Sequence, residues 1–152
     1  MNTIWLLLLT AVVHAQQEPL SFEQLADSMA VHPKPVVIKI VTSWCPYCRL
    51  QDRQISASAD VQQVLRNDCY FLVLDAEQHT PVQFNDTTYT FYSNGSANGI
   101  HLLALKLVGN KPAYPAWVVL DEKYVVKGTY AGMLKSRELL RFLLLYLHEQ
   151  DS

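Results

Sequence analysis

The stretch Val36-Val37-Ile38-Lys39-Ile40-Val41 constrains this chain more than any other. Five of its six residues are β-branched and apolar, with no alternation of apolar and polar positions. A strand reads this way when both of its faces are covered. Covering both faces requires packed layers on either side of one sheet, which is the layout of an α/β domain. Composition allows it: 50% of the 152 residues are hydrophobic and 17% charged, so the chain has material for a core and does not read as disordered. The length suits one domain. The net charge of −2 and the absence of a Lys/Arg cluster argue against a nucleic-acid surface. Three cysteines are too few for a disulfide-stapled miniprotein.

Elements alternate along the chain. Ser21 is expected to cap a helix through Glu23, Leu25, Ala26 and Met29 that Pro33 and Pro35 stop. Helix is expected from Cys45 to about Ile55, then a second stretch capped by Asp60 through Val61, Val64 and Leu65. Tyr70 to Leu74 reads as a buried strand, Val82 to Tyr92 as a small hairpin around Asn85-Asp86, Ser93 to Gly99 as a turn and Ile100 to Val108 as helix. Ala116 to Leu120 and Tyr124 to Tyr130 form two closing strands, and Ser136 caps a last helix from Arg137 to about Glu149. The closing hairpin makes the sheet mixed.

Ile4 to Val13 is an apolar run of ten residues. As a helix it reaches about 15 Å, half a bilayer core, so it reads as a signal peptide rather than a span. Val13 and Ala15 stand at the −3 and −1 positions of a cut before Gln16, although no Lys or Arg precedes the run. The domain limits expected are therefore 1–15 for the signal peptide and 16–152 for the mature domain, with an uncleaved anchor as the alternative. The mature chain would be periplasmic or secreted, where disulfides form.

The chemistry concentrates at Trp44-Cys45-Pro46-Tyr47-Cys48. Two cysteines three apart at a strand-to-helix junction are within reach of a disulfide across one turn. Cys45 would start the helix, where unpaired N–H groups and the helix dipole favour a thiolate. Pro46 suits the first turn, having no N–H to leave unpaired. Cys48 is placed to resolve a mixed disulfide on Cys45. Trp44 walls the sulfur, which is expected to be exposed. Zinc sites use the same spacing, but the flanking strand and helix favour redox chemistry.

With WCPYC, Tyr114-Pro115, the closing AWVVLDEKYVVKGTYAG and Gly132, the chain resembles the thioredoxin superfamily, and more narrowly secreted bacterial thioredoxin-like proteins with the DAE…FNDTTYTF…YP…LDE arrangement. The resemblance covers Val36 to Leu147. It implies a central mixed sheet flanked by helices, a cis Pro115 facing the CxxC, and backbone before Pro115 able to pair with a substrate strand. It implies Cys45 and Cys48 as the catalytic, disulfide-forming pair, and Trp44, Pro46, Tyr47, Tyr114 and Pro115 as the substrate contact. The Pro-Tyr centre is that of glutaredoxins, yet no Gly-Gly follows the Pro115 strand. Lys39 departs from the pattern, standing where thioredoxins hold a buried carboxylate. It either stabilises the thiolate, tuning the pKa and raising the reduction potential, or pairs with an acid or escapes to the surface.

Other groups read as structural. Cys69 is expected to be a buried small hydrophobe, with a redox or dimer role as the alternative, His79 and His101 surface or packing residues, and Arg49 a solvated helix residue, with partner steering or thiolate support as the alternative. Asn85 and Asn94 head glycosylation sequons, relevant in a host that glycosylates. The stretch from Ala76 to Tyr114 is longer than a minimal thioredoxin needs, an insertion before the cis-proline strand. Its Phe84, Tyr89, Phe91 and Tyr92 are expected to pack a satellite core, with docking as the alternative.

Compartment and dithiol together point to an exported thiol–disulfide oxidoreductase acting on cysteine-containing exported proteins. It would exchange electrons with a partner dithiol such as a membrane thiol carrier, with no cofactor, metal or nucleic acid, and with a soluble mature form. Reductase or isomerase-type action is the first expectation. A disulfide-forming oxidant and a non-catalytic binding module are the alternatives.

Overall fold

The computed structural model describes residues 18–93, 95, 99–110 and 113–148. The expected signal segment, its cut before Gln16, Asn94 and the far end of the last helix lie outside them. The elements run α1 (Phe22–Val31), β1 (Val36–Val41), α2 (Pro46–Ser56), α3 (Ala59–Asn67), β2 (Tyr70–Asp75), β3 (Val82–Phe84), β4 (Thr87–Tyr89), β5 (Phe91–Ser93), β6 (Gly99–His101), α4 (Leu102–Val108), β7 (Ala116–Leu120), β8 (Val126–Ala131) and α5 (Ser136–Leu147).

β1 sits inside a four-stranded mixed sheet of order β2-β1-β7-β8, parallel to β2 and antiparallel to β7, which is antiparallel to β8. Its alternate side chains feed two cores. Val36, Ile38 and Ile40 pack with α1 and α4 through Leu25, Met29, Leu103 and Leu107. Val37 packs on the other face with Trp117 and Val119 of β7, Val61, Val64 and Leu65 of α3, and Leu139 and Leu143 of α5. Each such side chain taken from water contributes about 1.5–3 kcal/mol, which locks the register of β1. The α/β architecture with helices on both faces is the one the sequence implies. Among the described residues, no helix is long and apolar enough to cross a membrane.

Ser21 caps α1 in a reciprocal capping box with Gln24. The cap of α3 is Ser58 rather than Asp60: its hydroxyl accepts the Val61 N–H, leaving Asp60 in the first turn, where the dipole favours a carboxylate. Ser136 is likewise inside α5 rather than before it, and the Glu138 side chain accepts from the Lys135 N–H instead. β8 starts at Val126, two residues later than the sequence suggests. Tyr124 has φ 62° in a turn where the Asp121 carboxylate accepts from the N–H groups of Lys123 and Val125.

The insertion holds two hairpins, not one. Asn85 and Asp86, at φ 47° and 57°, make the tight turn between β3 and β4. β5 and β6 form the second, consuming three residues that read as turn and helix start, so α4 begins only at Leu102. Of the two roles expected for His101, surface or packing, the structure shows packing: it is buried, and its Nδ1 accepts the Leu103 N–H to cap α4. Burial holds its imidazole below the usual range. Phe84 is core, edge-on to Phe22 and Tyr124, whereas Tyr92 is exposed.

Cys69 is buried in the second core, its thiol directed at the Leu65 carbonyl at 3.6 Å. Burial, added to by the Asp68 carboxylate and opposed by Lys34, pushes its pKa up to about 12. At pH 8 roughly one molecule in ten thousand would then carry the thiolate, the form that alkylates. Iodoacetamide added to the fully reduced native protein is expected to leave Cys69 unmodified and to label it only in denaturant. Peptide mass mapping reads the result.

Candidate dithiol site

β1, an interior strand, leads after Val41 to the start of α2, so WCPYC straddles a strand-to-helix junction. Cys45 is the N-cap of α2, its Sγ accepting the Cys48 N–H at 3.1 Å, and Pro46 occupies the first turn. No acid lies in that turn, so the helix dipole acts on the cysteine unopposed by the helix's own side chains. Cys45 and Cys48 are joined by a disulfide with Cα atoms 5.3 Å apart.

The expected exposed sulfur is not what the oxidised form presents. Cys45 is 2% exposed and Cys48 3%. Turning Sγ back over the helix end, to bond Cys48 and accept its N–H, takes it out of the surface. The accessible faces belong to the neighbours, Trp44 at 62% and Tyr47 at 60%, with Pro46 exposed between the cysteines.

The Tyr114–Pro115 peptide bond is cis. Pro115 is buried, and its carbonyl accepts the N–H of Gly132 at 2.8 Å, which ties this loop to the end of β8. Gly132 has φ 115°, a conformation open to glycine at no steric cost. Half-buried Tyr114 meets Trp44 edge to face, with centroids 6.4 Å apart. Its phenol is pushed up by burial first, then by the carboxylates of Glu77 and Asp75. The structure thus brings Trp44, Tyr114 and the dithiol to one place.

Lys39 is buried rather than at the surface and pairs with Asp52 of α2, a largely exposed carboxylate. Asp52 lies one turn beyond Cys48 on α2, so the pair sits beneath the dithiol helix.

Three contributors were missed in the sequence. Asp52 was readable only as a charge at i+4 from Cys48. Gln51, buried in α2, both donates to the Leu134 carbonyl and accepts the Leu134 N–H, each at 2.9 Å, clamping α2 to the segment before α5. Glu77 had no local signal: 33 residues from Trp44, its carboxylate accepts the indole N–H at 3.0 and 3.1 Å. Among the described residues, no group of three or more His, Cys, Asp or Glu is arranged to hold a metal ion.

No protein-family model and no curated protein sequence matches the chain. Solved structures do. A protein described as DsbH oxidoreductase aligns over 97% of this chain and 96% of its own, at TM-score 0.61 and 14% identity. A disulphide isomerase from Xylella fastidiosa Temecula1 aligns over 92% and 98%, at TM-score 0.53 and 17% identity. Thioredoxin f from spinach chloroplast aligns over 84% of each chain, at TM-score 0.53 and 22% identity. These likenesses define the class of architecture: a thioredoxin fold, carrying a CxxC-spaced disulfide at the start of α2.

The buried Lys39 ammonium needs Asp52, whereas Asp52 is already solvated. Asp52→Asn is expected to destabilise the protein by about 1–3 kcal/mol, since it strips the compensating charge from a buried cation. Lys39→Met, which removes the buried charge and fills its space, should be neutral or stabilising. Urea midpoints of the two variants check the difference in sign.

Proposed function

We propose that the chain is an exported thiol–disulfide oxidoreductase, its domain running from Gln16 to Ser152 after removal of the first 15 residues, and that it acts on cysteines of other exported proteins. The observation that carries this reading is the disulfide at the α2 N-terminus, flanked in sequence by exposed Trp44 and Tyr47, with Trp44 packed edge to face on Tyr114. Neighbours described as an oxidoreductase and a disulphide isomerase lend it support through a shared fold.

In the reducing direction the Cys45 thiolate attacks one sulfur of a substrate disulfide, forming a Cys45–substrate bond and releasing the other substrate sulfur as a thiolate. The Cys48 thiolate then attacks Cys45 Sγ, closing the Cys45–Cys48 bond and releasing the second substrate thiolate. Two electrons pass to the substrate, whose sulfurs take up two protons. A partner dithiol, such as a membrane carrier, restores the reduced pair. Trp44, Pro46, Tyr47, Tyr114 and Pro115 form the contact surface, and backbone before Pro115 pairs with the substrate strand. The helix N-terminus and the Cys48 N–H donated to Cys45 Sγ both lower the free energy of the Cys45 thiolate.

Reduction rather than oxidation is the direction proposed, because Lys39, whose charge would raise the potential, is answered by a carboxylate. Paired with Asp52, it brings little net charge beneath α2, so its role in tuning the potential is small. Lys39→Met is expected to shift the reduction potential by less than about 30 mV, the equivalent of about 1.4 kcal/mol, from a wild-type value near −270 mV. Equilibration with a glutathione redox buffer measures it. A larger shift restores Lys39 as a pKa-tuning residue, and a wild-type value near −120 mV makes the protein an oxidant.

The burial of Cys45 favours a second reading, a non-catalytic thioredoxin-fold binding module. Insulin-disulfide reduction separates them. Wild type is expected to turn over, Cys45→Ser to be inactive, and Cys48→Ala to accumulate mixed disulfides that name the substrates. Absence of thiol-dependent turnover in wild type would leave the binding module.

A further inference from the structure

The turn after β2 puts two carboxylates at the dithiol's rim. The Asp75 carboxylate accepts the Glu77 N–H at 2.9 Å, which fixes the turn, and exposed Glu77 in turn holds the Trp44 indole. The insertion braces this turn from behind: the His101 N–H donates to the Ala76 carbonyl at 2.7 Å, and His79 stacks on Phe91 of β5 with centroids 4.0 Å apart. The second hairpin therefore serves the site as well as its own packing.

A neutral indole N–H leaves the charge of Glu77 uncancelled. Among the described residues, neither Glu77 nor Asp75 is in an ion pair. Both carboxylates bear on Tyr114, the residue before Pro115. Among the described residues, Arg49 of α2 also stands at the rim, its guanidinium donating to the Ser43 carbonyl at 3.4 Å. Among the described residues, the rim thus carries carboxylates on the Trp44–Tyr114 side and a guanidinium on the α2 side.

We propose that Glu77, supported by Asp75, makes this site select polypeptides that carry a Lys or Arg beside the reacting cysteine. The proposal rests on the oxidoreductase reading. A strand laid along the backbone before Pro115 passes Tyr114, and a cationic side chain on it meets Glu77 with Trp44 at its flank. Aromatic surface beside a carboxylate suits the long apolar stem and charged head of such a side chain.

The test uses two disulfide-bonded peptides identical except for Arg or Glu next to the cystine, with kcat/KM measured for each at low and high salt. Wild type is expected to favour the Arg peptide about fivefold at low salt, near the upper value of an exposed charge pair. At about 0.5 M salt the preference should approach one. In Glu77→Gln, which keeps an oxygen for the Trp44 indole and drops the charge, the ratio should fall about threefold; Asp75→Asn, which keeps the turn's acceptor, should lower it as well. Equal kcat/KM for both peptides in wild type, or a ratio unchanged in both variants, overturns the selectivity while the oxidoreductase reading stands. Turnover of neither peptide overturns that reading and the selectivity with it.

Discussion

The burial of β1 on both faces is the constraint on which the dithiol depends. Val36, Ile38 and Ile40 enter one core and Val37 the other, so the strand can neither slip by a residue nor rotate without exposing a whole set of side chains. That fixes where Val41 leaves the sheet and where α2 begins. Cys45 reaches a helix N-terminus because the strand before it has no alternative register. The disulfide, the N-cap bond to Cys48 and the absence of acids in the first turn then follow within one helical turn.

Polar groups hold α2 against this apolar scaffold. Gln51 makes two hydrogen bonds to the backbone of Leu134, and Asp52 answers the ammonium that Lys39 carries into the core. Buried polar groups lose their partners when a helix shifts, so these bonds add a directional restraint to the apolar packing. The helix bearing the dithiol is therefore pinned on its inner face, while Trp44 and Tyr47 stay open at its outer end. The Lys39–Asp52 pair also shows how an otherwise apolar strand holds an ammonium: the counter-ion stands on the helix above.

The insertion before Pro115 divides between the core and the site. Phe84 and half-buried Tyr89 join the core with α1, as strand alternation anticipates. The β5–β6 hairpin has another role, since its backbone and ring contacts brace Ala76 and His79 on either side of the turn that carries Glu77. An added segment thereby reaches the dithiol indirectly, through a carboxylate and an indole.

From residues alone, the α/β layout, the two-sided β1, the first hairpin at Asn85-Asp86 and the strand–dithiol–helix junction were legible. Each rests on local periodicity or on the conformational limits of a few adjacent residues. Helix starts were misplaced by one or two residues at α3 and α5 because several nearby side chains are able to cap and only packing selects among them. The three-residue strands of the second hairpin carry too few positions to display a period. The partners of Lys39 and Trp44, the clamp of Gln51 and the burial of Cys45 were decided by tertiary structure. Their partners lie 13, 33 and 83 residues away, or, for Cys45, in the way its sulfur folds back onto the helix. Sequence determines which residues favour which local shape; which charges and donors finally meet depends on how the layers close, and no short-range pattern encodes that.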